Sequence, residues 1–335
     1  MALSTTLGDD TITGTPGPDR LFGDVEDLPG EFGSSILDVQ GGHDTLRGGD
    51  GNDVLYGDAY IVVGDGQGGN DLLFGEEGDD TLLGDGNYGS LAGQDSLFGG
   101  LGGDWLIGDY YELSGQGADD LLDGGGGSDV LMGDAFWMFA GSGGGSDSLL
   151  GGDGDDVLRG DAHEMFAGAI AGDDQLQAGA GNDVVLGDAT FLNAPGGNDE
   201  LAGGSGDDTL YGDALQAETG EARGGDDVLN GGPGNDTLWG DFAIIAAADP
   251  PGDPPEGGQD RFVFTGRFGR DWVGDFQPGE DILEFAVLGL HGPREPHVRV
   301  QQVGADTVIS VSGFGAVTLA GVDSGSLTTG DYLLT

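Results

Sequence analysis

Aspartate is the residue whose spacing in this chain points to chemistry. Eighteen Asp, each two positions before an apolar residue, form nine pairs: Asp10 and Asp19, Asp44 and Asp53, Asp71 and Asp80, Asp95 and Asp104, Asp120 and Asp129, Asp147 and Asp156, Asp174 and Asp183, Asp199 and Asp208, Asp227 and Asp236. Within every pair the spacing is nine residues, and the apolar residue is Leu in 16 cases, otherwise Ile12 or Val185. Five residues beyond the second member stands a third Asp, always preceded by Gly: Asp24, Asp58, Asp85, Asp109, Asp134, Asp161, Asp188, Asp213 and Asp241. Six second members close a full Gly-Gly-x-Gly-x-Asp, at residues 48–53, 99–104, 124–129, 151–156, 203–208 and 231–236, while 75–80 and 178–183 are looser copies. Glycine there permits φ > 0, so a tight turn can aim carbonyl oxygens inward beside the final carboxylate. Candidate ligands are therefore all these Asp, the leading glycines Gly48, Gly99, Gly151, Gly203 and Gly231, Asp50 and Asp153 inside the turns, and Asp260 beyond the last pair. Such oxygens suit Ca²⁺, which takes six to eight at 2.3–2.6 Å. With no Cys in the chain, Zn or Cu is disfavoured. The pattern predicts roughly two to three Ca²⁺ per repeat unit.

These ligands need elements that hold them in register. From the second pair onward the full unit is 24 to 28 residues long. Each Asp-x-Leu reads as the start of a short strand, and the stretch after the third Asp reads as another strand. There positions +2 and +4 from that Asp are often both apolar, as in Tyr60/Val62, Tyr111/Leu113 and Phe136/Met138, which is strand alternation. The unit is thus a coil of three strands followed by a loop of variable length. Tyr110, Tyr111, Phe136, Trp137 and Phe139 would stack into a file on the third side, as core packing or as an adhesive, sugar-stacking patch.

Composition alone resembles that of a disordered chain: 75 Gly, 12 Pro and a net charge of −53, too polar to fold without a regular pattern. Periodicity reverses that reading, since regular repeats imply a solenoid. Parallel strands stacked about 4.8 Å apart bring identical Asp of neighbouring coils into files. Close carboxylates repel, whereas a divalent cation between them makes folding and ion binding one equilibrium. The charge argues against nucleic acid and anionic membrane surfaces as partners. No run of 18 apolar residues predicts membrane insertion, and residues 1–10 lack the regions of a cleavable signal peptide.

The nonapeptide Gly-Gly-x-Gly-x-Asp-x-Leu-x, repeated in register over residues 7–245, resembles the repeats-in-toxin (RTX, haemolysin-type calcium-binding) family. That resemblance implies an all-β fold, a right-handed parallel β-roll or β-solenoid of about nine calcium-binding coils, with successive turns sharing each ion. Here the first members keep mainly the Gly at −2, and the Gly-Asp segment adds a third side. The family thus supports the second row of turns, and ion binding by the first and third rows stays open. After the prolines at 250–255, Gly258 to Phe264, Asp271 to Leu283 and Gly304 to Ile309 look like the C-terminal module of serralysin-type proteases and related exoproteins. By that likeness, residues 1–245 form the roll, 246–257 a Pro-rich connection, and 258–335 a C-terminal β cap carrying an uncleaved type I secretion signal. Strands are expected at 261–265, 281–285, 298–303, 307–311 and 316–319.

No catalytic constellation is read. His163-Glu164 lacks the second His of a zinc-protease motif because position 167 is Ala, and His43, His291 and His297 read as solvated residues. Paired carboxylates such as Asp79/Asp80 recur coil by coil and read as ion ligands rather than an acid and base. The chain is expected to be a calcium-binding protein, not an enzyme, exported to the cell surface or medium by type I secretion machinery without an N-terminal signal peptide. Two alternatives stay open: a surface, matrix or S-layer-like adhesin binding glycan or protein through the third-side loops, and a polysaccharide-modifying RTX enzyme or its accessory module.

Overall fold

The computed structural model describes residues 2–3, 9–23, 41–58, 67–218, 222–246, 255–286 and 298–335. Asp24, residues 60–63, most of the Pro-rich connection (247–254), His291 and His297 lie outside the described residues. Within them the chain is all-β, a parallel β-solenoid, and contains no helix.

Each coil begins at the first Asp of a pair. Alternation after the Asp turns the +2 Leu inward, so first and second strands each contribute one Leu per coil to a continuous column: Leu46 and Leu55, Leu73 and Leu82, Leu97 and Leu106, all fully buried. Burying each such side chain contributes about 1.5–3 kcal/mol. First strands, among them Leu72–Glu77, Ser96–Leu101 and Leu121–Gly126, stack in parallel into a 12-stranded sheet. Second strands, among them Thr81–Leu83, Trp105–Ile107 and Val130–Met132, belong to a 14-stranded sheet. Register places Asp-x-Leu on Asp-x-Leu throughout: Leu97 pairs with Leu122, and Leu106 with Leu131. All nine pairs form both strands.

The third side is a seven-stranded parallel sheet from Gly86–Leu91 to Phe242–Ala246. Its inward positions differ from the +2/+4 expectation. Counted from the third Asp, +1 and +4 are buried: Tyr110 and Leu113, Ala135 and Met138, Ala162 and Met165. Tyr111 and Phe136 at +2 face outward, half-buried. A bulge at the Asp starts the slip, because two consecutive amides donate to one carbonyl: Asp134 N and Ala135 N both reach Asp161 O, at 3.0 and 3.1 Å. Tyr110 fills the space left by the preceding coil, since a Cβ on Gly89 would fall inside its ring. The expected aromatic file forms in part: Tyr111 stacks on Phe136 (4.9 Å between centroids) with Trp137 edge-on to both, and it runs on to His163 (4.6 Å from Phe136) and Phe191, whereas Tyr110 lies in the core and Phe139 stacks on Phe166 instead.

Beyond residue 255 the same sheets continue. Arg261–Thr265 and Ile282–Ala286 extend the first sheet, and Gly269–Val273 and Gly315–Leu319 the second. Asp306–Val311 and Val298–Val303 then add antiparallel strands. Two of these strands had no counterpart in the sequence reading: Gly269–Val273, and the tail Tyr332–Leu334, which pairs with Ile282–Ala286. The interior changes from Leu to Phe, with Phe262, Phe264, Phe268 and Phe285 buried together.

Candidate metal centre

The second Asp row sits at the turn between first and second strands. In five of the six full copies the turn needs left-handed backbone at two glycines, as at Gly100 (φ 113°) and Gly102 (φ 133°), and in the copy at 231–236 at Gly232 alone (φ 96°). Asp104 at its end is 2% exposed. One oxygen of each second-row carboxylate accepts the backbone N–H of the Asp one coil earlier: Asp80 N to Asp104 Oδ1 at 2.8 Å, Asp104 N to Asp129 Oδ1 at 2.8 Å, and so on to Asp208 N on Asp236 Oδ1 at 3.0 Å. The other oxygen, Oδ2 of Asp80, Asp104, Asp129, Asp156, Asp183, Asp208 and Asp236, is buried and accepts no hydrogen bond. It faces a small polar cradle. A Cβ added to Gly99 would lie 2.7 Å from the Gly124 carbonyl oxygen and 2.9 Å from Asp104 Cγ, and one on Gly124 would lie 2.7 Å from the Gly151 carbonyl oxygen. The carbonyls of Gly99 and Gly231 border equivalent cradles at Gly75 and Gly203, and Gly48 O borders the one at Gly14.

The first row forms a parallel ladder at the other corner of the coil. Asp44 N donates to Asp71 Oδ1, Asp71 N to Asp95 Oδ1, Asp95 N to Asp120 Oδ1 and Asp120 N to Asp147 Oδ1, each at 2.7 Å. It continues through Asp174, Asp199 and Asp227 to Asp260. Third-row carboxylates hold the loop that returns from the third side: Gly145 N donates to Asp134 Oδ1, Gly172 N to Asp161 Oδ1, Gly197 N to Asp188 Oδ1 and Gly225 N to Asp213 Oδ1, each at 2.8 Å. Asp58, Asp85, Asp109 and Asp241 accept equivalent bonds. First and third rows converge. Asp44, Asp58 and Asp71, then Asp71, Asp85 and Asp95, then Asp95, Asp109 and Asp120, each bring three carboxylate oxygens within 4.8 Å of one another, all buried.

Burial dominates the electrostatics. It pushes the carboxyls of Asp95, Asp109, Asp134, Asp147 and Asp213 well above the usual range, and neighbouring Asp charges add to the effect. In the second row, burial lifts Asp80, Asp156, Asp183 and Asp208 to about 6 and Asp104 and Asp236 to about 7. Without a counter-charge these files resist ionisation, so a bound cation has a large electrostatic deficit to relieve. The donor set fits calcium: hard oxygens, unpaired and buried, with glycine carbonyls beside them.

Two candidates join neither file. Asp50 and Asp153 are exposed, and their carbonyls accept Gly17 N–H (2.5 Å) and Gly127 N–H (2.8 Å) from the preceding coil. At the N-terminal end, Asp10 N donates to Asp44 Oδ1 and Asp19 N to Asp53 Oδ1. The structure also adds residues that sequence reading passed over. Asp260 N donates to Asp281 Oδ1 (3.1 Å) and Asp236 N to Asp271 Oδ1 (3.2 Å), while Asp275 accepts Gly240 N–H and Asp241 N–H (2.9 Å each). Asp260, Asp271 and Gly274-Asp275 thus repeat the three rows once more. The signal was Asp-x-apolar at Asp260-x-Phe262, Asp271-x-Val273 and Asp281-x-Leu283, hidden because the first spacing is 11 rather than nine.

Comparison with known proteins agrees with this geometry. The sequence pattern of the RTX calcium-binding nonapeptide repeat matches residues 4–25, 30–59, 64–91, 90–109, 112–136, 142–163, 171–189, 195–214 and 217–242. No curated protein matches. Among solved structures, the extracellular lipase LipA from Serratia marcescens is similar at 18% identity and a TM-score of 0.28, over 99% of this chain and 41% of that one. The chain thus spans less than half the length of that protein.

Proposed function

Because this chain belongs to the RTX calcium-binding repeat family, we propose that it is a secreted protein whose β-roll folds cooperatively as calcium loads its aspartate rows. The observation that carries this reading is the second row: from Asp53 to Asp236, one buried, unpaired carboxylate oxygen per coil, facing a cradle of backbone carbonyls. Stacked without cations, those carboxylates oppose folding; with Ca²⁺ between coils they bind one coil to the next. Ligand binding restricted to the folded state stabilises it by RT ln(1 + [L]/Kd) at each site. Low calcium inside a cell would keep such a chain unfolded and exportable, and high calcium outside would fold it. Residues 258–335 serve as the cap that closes the Phe-rich end of the interior and as the carrier of the type I secretion signal. We assign the chain no catalytic role of its own.

A second reading has its own observation. The file of Tyr111, Phe136, His163 and Phe191 is partly open to solvent on the third side, which favours a surface or matrix adhesin that stacks sugar rings or binds a neighbouring protein there.

Far-UV circular dichroism during a Ca²⁺ titration of chelator-dialysed protein tests the main reading. Strand signal should rise cooperatively with calcium. Full strand signal in excess chelator would overturn it. Glycan arrays with and without Ca²⁺ test the second.

A further inference from the structure

The first and third Asp rows lie at a different corner of the coil from the glycine-rich turns, and they have their own stoichiometry. At one junction Asp95 and Asp109 of one coil meet Asp120 of the next, with carboxylate oxygens within 4.8 Å of one another. All three residues are at least 96% buried. Each already uses one oxygen on a backbone amide: Asp95 Oδ1 on Asp71 N–H, Asp120 Oδ1 on Asp95 N–H, and Asp109 Oδ2 on Ala118 N–H. The other three, Asp95 Oδ2, Asp109 Oδ1 and Asp120 Oδ2, are buried and accept nothing. We propose that this inner file is a second row of calcium sites, one at each coil junction and built on three carboxylates, separate from the turn row.

Three features carry the assignment. Three carboxylates converge at three successive junctions, from Asp44 to Asp120, and unpaired carboxylate oxygens continue beyond them at Asp147, Asp161 and Asp174, so the ligands belong to the repeat and not to one coil. Charge closes on a divalent ion: each coil adds one first-row and one third-row Asp, two negative charges per junction, because a first-row Asp such as Asp95 serves the junctions on both sides of it. Close approach of the backbone to the file depends on glycine. A Cβ on Gly108, which precedes Asp109, would overlap the Gly133 carbonyl oxygen and the Asp120 carboxylate, and one on Gly84 would overlap Gly108 O and the Asp95 carboxylate. Oxygens this close can share one ion at the 2.3–2.6 Å of calcium coordination. The Gly-Asp step of every unit is then explained at both residues: Asp supplies the ligand and Gly leaves room for it.

The inference rests on the calcium reading of the chain, and calcium counting separates the two. Wild-type protein, folded and dialysed at saturating Ca²⁺, is assayed for bound calcium by atomic emission, beside Asp109→Asn and the turn-row variant Asp104→Asn. Circular dichroism checks the fold of each. With both rows filled, the wild type carries about two ions per coil and Asp109→Asn loses about one ion per molecule. A count near one per coil, with Asp109→Asn unchanged and Asp104→Asn reduced, means that protons occupy the inner file; it overturns this inference and leaves the turn row standing. No bound calcium overturns both. Should Asp109→Asn fail to fold, the wild-type count decides alone.

Discussion

Adding one methyl group at two glycines separates crowding at the site from the general cost of changing a glycine. Gly84 precedes Asp85 at the inner file, whereas Gly126 ends a first strand; neither has a left-handed φ. A Cβ on Gly84 would overlap the Gly108 carbonyl oxygen and the Asp95 carboxylate, with Asp95 Cγ at 2.7 Å. Neither neighbour is a free side-chain end. Gly84 N is bonded to Ile107 O at 3.0 Å, beside that carbonyl, and Asp95 Oδ1 receives Asp71 N–H at 2.7 Å. Relieving the overlap must stretch both bonds, at about 0.5–1.5 kcal/mol each, in addition to about 1–3 kcal/mol for overpacking. Gly84→Ala should therefore destabilise the folded form by about 2–6 kcal/mol. On Gly126 the same Cβ meets only Leu101 Cδ2, at 3.5 Å, an ordinary contact, so Gly126→Ala should stay within about 1 kcal/mol of wild type, on the stabilising side. Urea unfolding in saturating Ca²⁺, compared by midpoint, reads the difference. A Gly84→Ala midpoint equal to wild type would refute the close-approach argument.

Two further predictions concern acid and one turn residue. In the calcium-free chain, burial raises Asp80 and Asp156 to about 6 and Asp104 and Asp236 to about 7, from 3.8. Between about pH 4 and pH 7 the folded state then binds more protons than the unfolded, so its stability falls as pH rises through that window. Strand signal in chelator should accordingly be greater at pH 4 than at pH 7, while calcium affinity should weaken towards pH 5 because binding expels protons. A flat chelator profile over that range contradicts the burial of the rows. Glu76 has φ 79° where the flanking coils have Gly49 and Gly100, and its exposed ion pair with Arg47 (3.0 Å) is worth about 0–1 kcal/mol. Glu76→Gly should raise the unfolding midpoint, with a gain of about 1 kcal/mol from relieved backbone strain; a lower midpoint would mean that the ion pair outweighs the strain.

Where side-chain alternation and chain period coincide, the architecture was legible. Asp-x-Leu places Leu inward two positions after Asp, and nine residues carry the chain around one turn, so both Asp rows and the Leu column could be read directly. The third strand was legible as a strand and not in its facing, because the bulge at Asp134 and its equivalents slips the alternation. Tyr110 was grouped with the outer aromatics and instead fills the hollow over Gly89. The repeat at Asp260, Asp271 and Asp275 escaped because an insertion alters its spacing. Candidate ligands were legible by type, but their division of labour was not: one oxygen for a backbone amide and one left over is a property of packing that no spacing displays. Asp50 and Asp153 show the converse, since they fit the turn by position and point into solvent.

The aspartate ladders also settle how the rod meets a pull along its axis. Each junction joins only its two neighbours, so tension passes through all junctions in series and the rod is as strong as its weakest seam. Amide-to-carboxylate links run at 2.7 to 2.8 Å through the middle of the first row and lengthen to 3.1 Å at Asp227 and Asp260; in the second row they reach 3.2 Å at Asp236 and Asp271. Both long links fall between the same two coils, where the regular repeats hand over to the Phe-filled end. The Asp260-to-Asp281 link beyond it is 3.1 Å as well, so under tension the coils would separate first toward the C-terminal end, still joined by the chain.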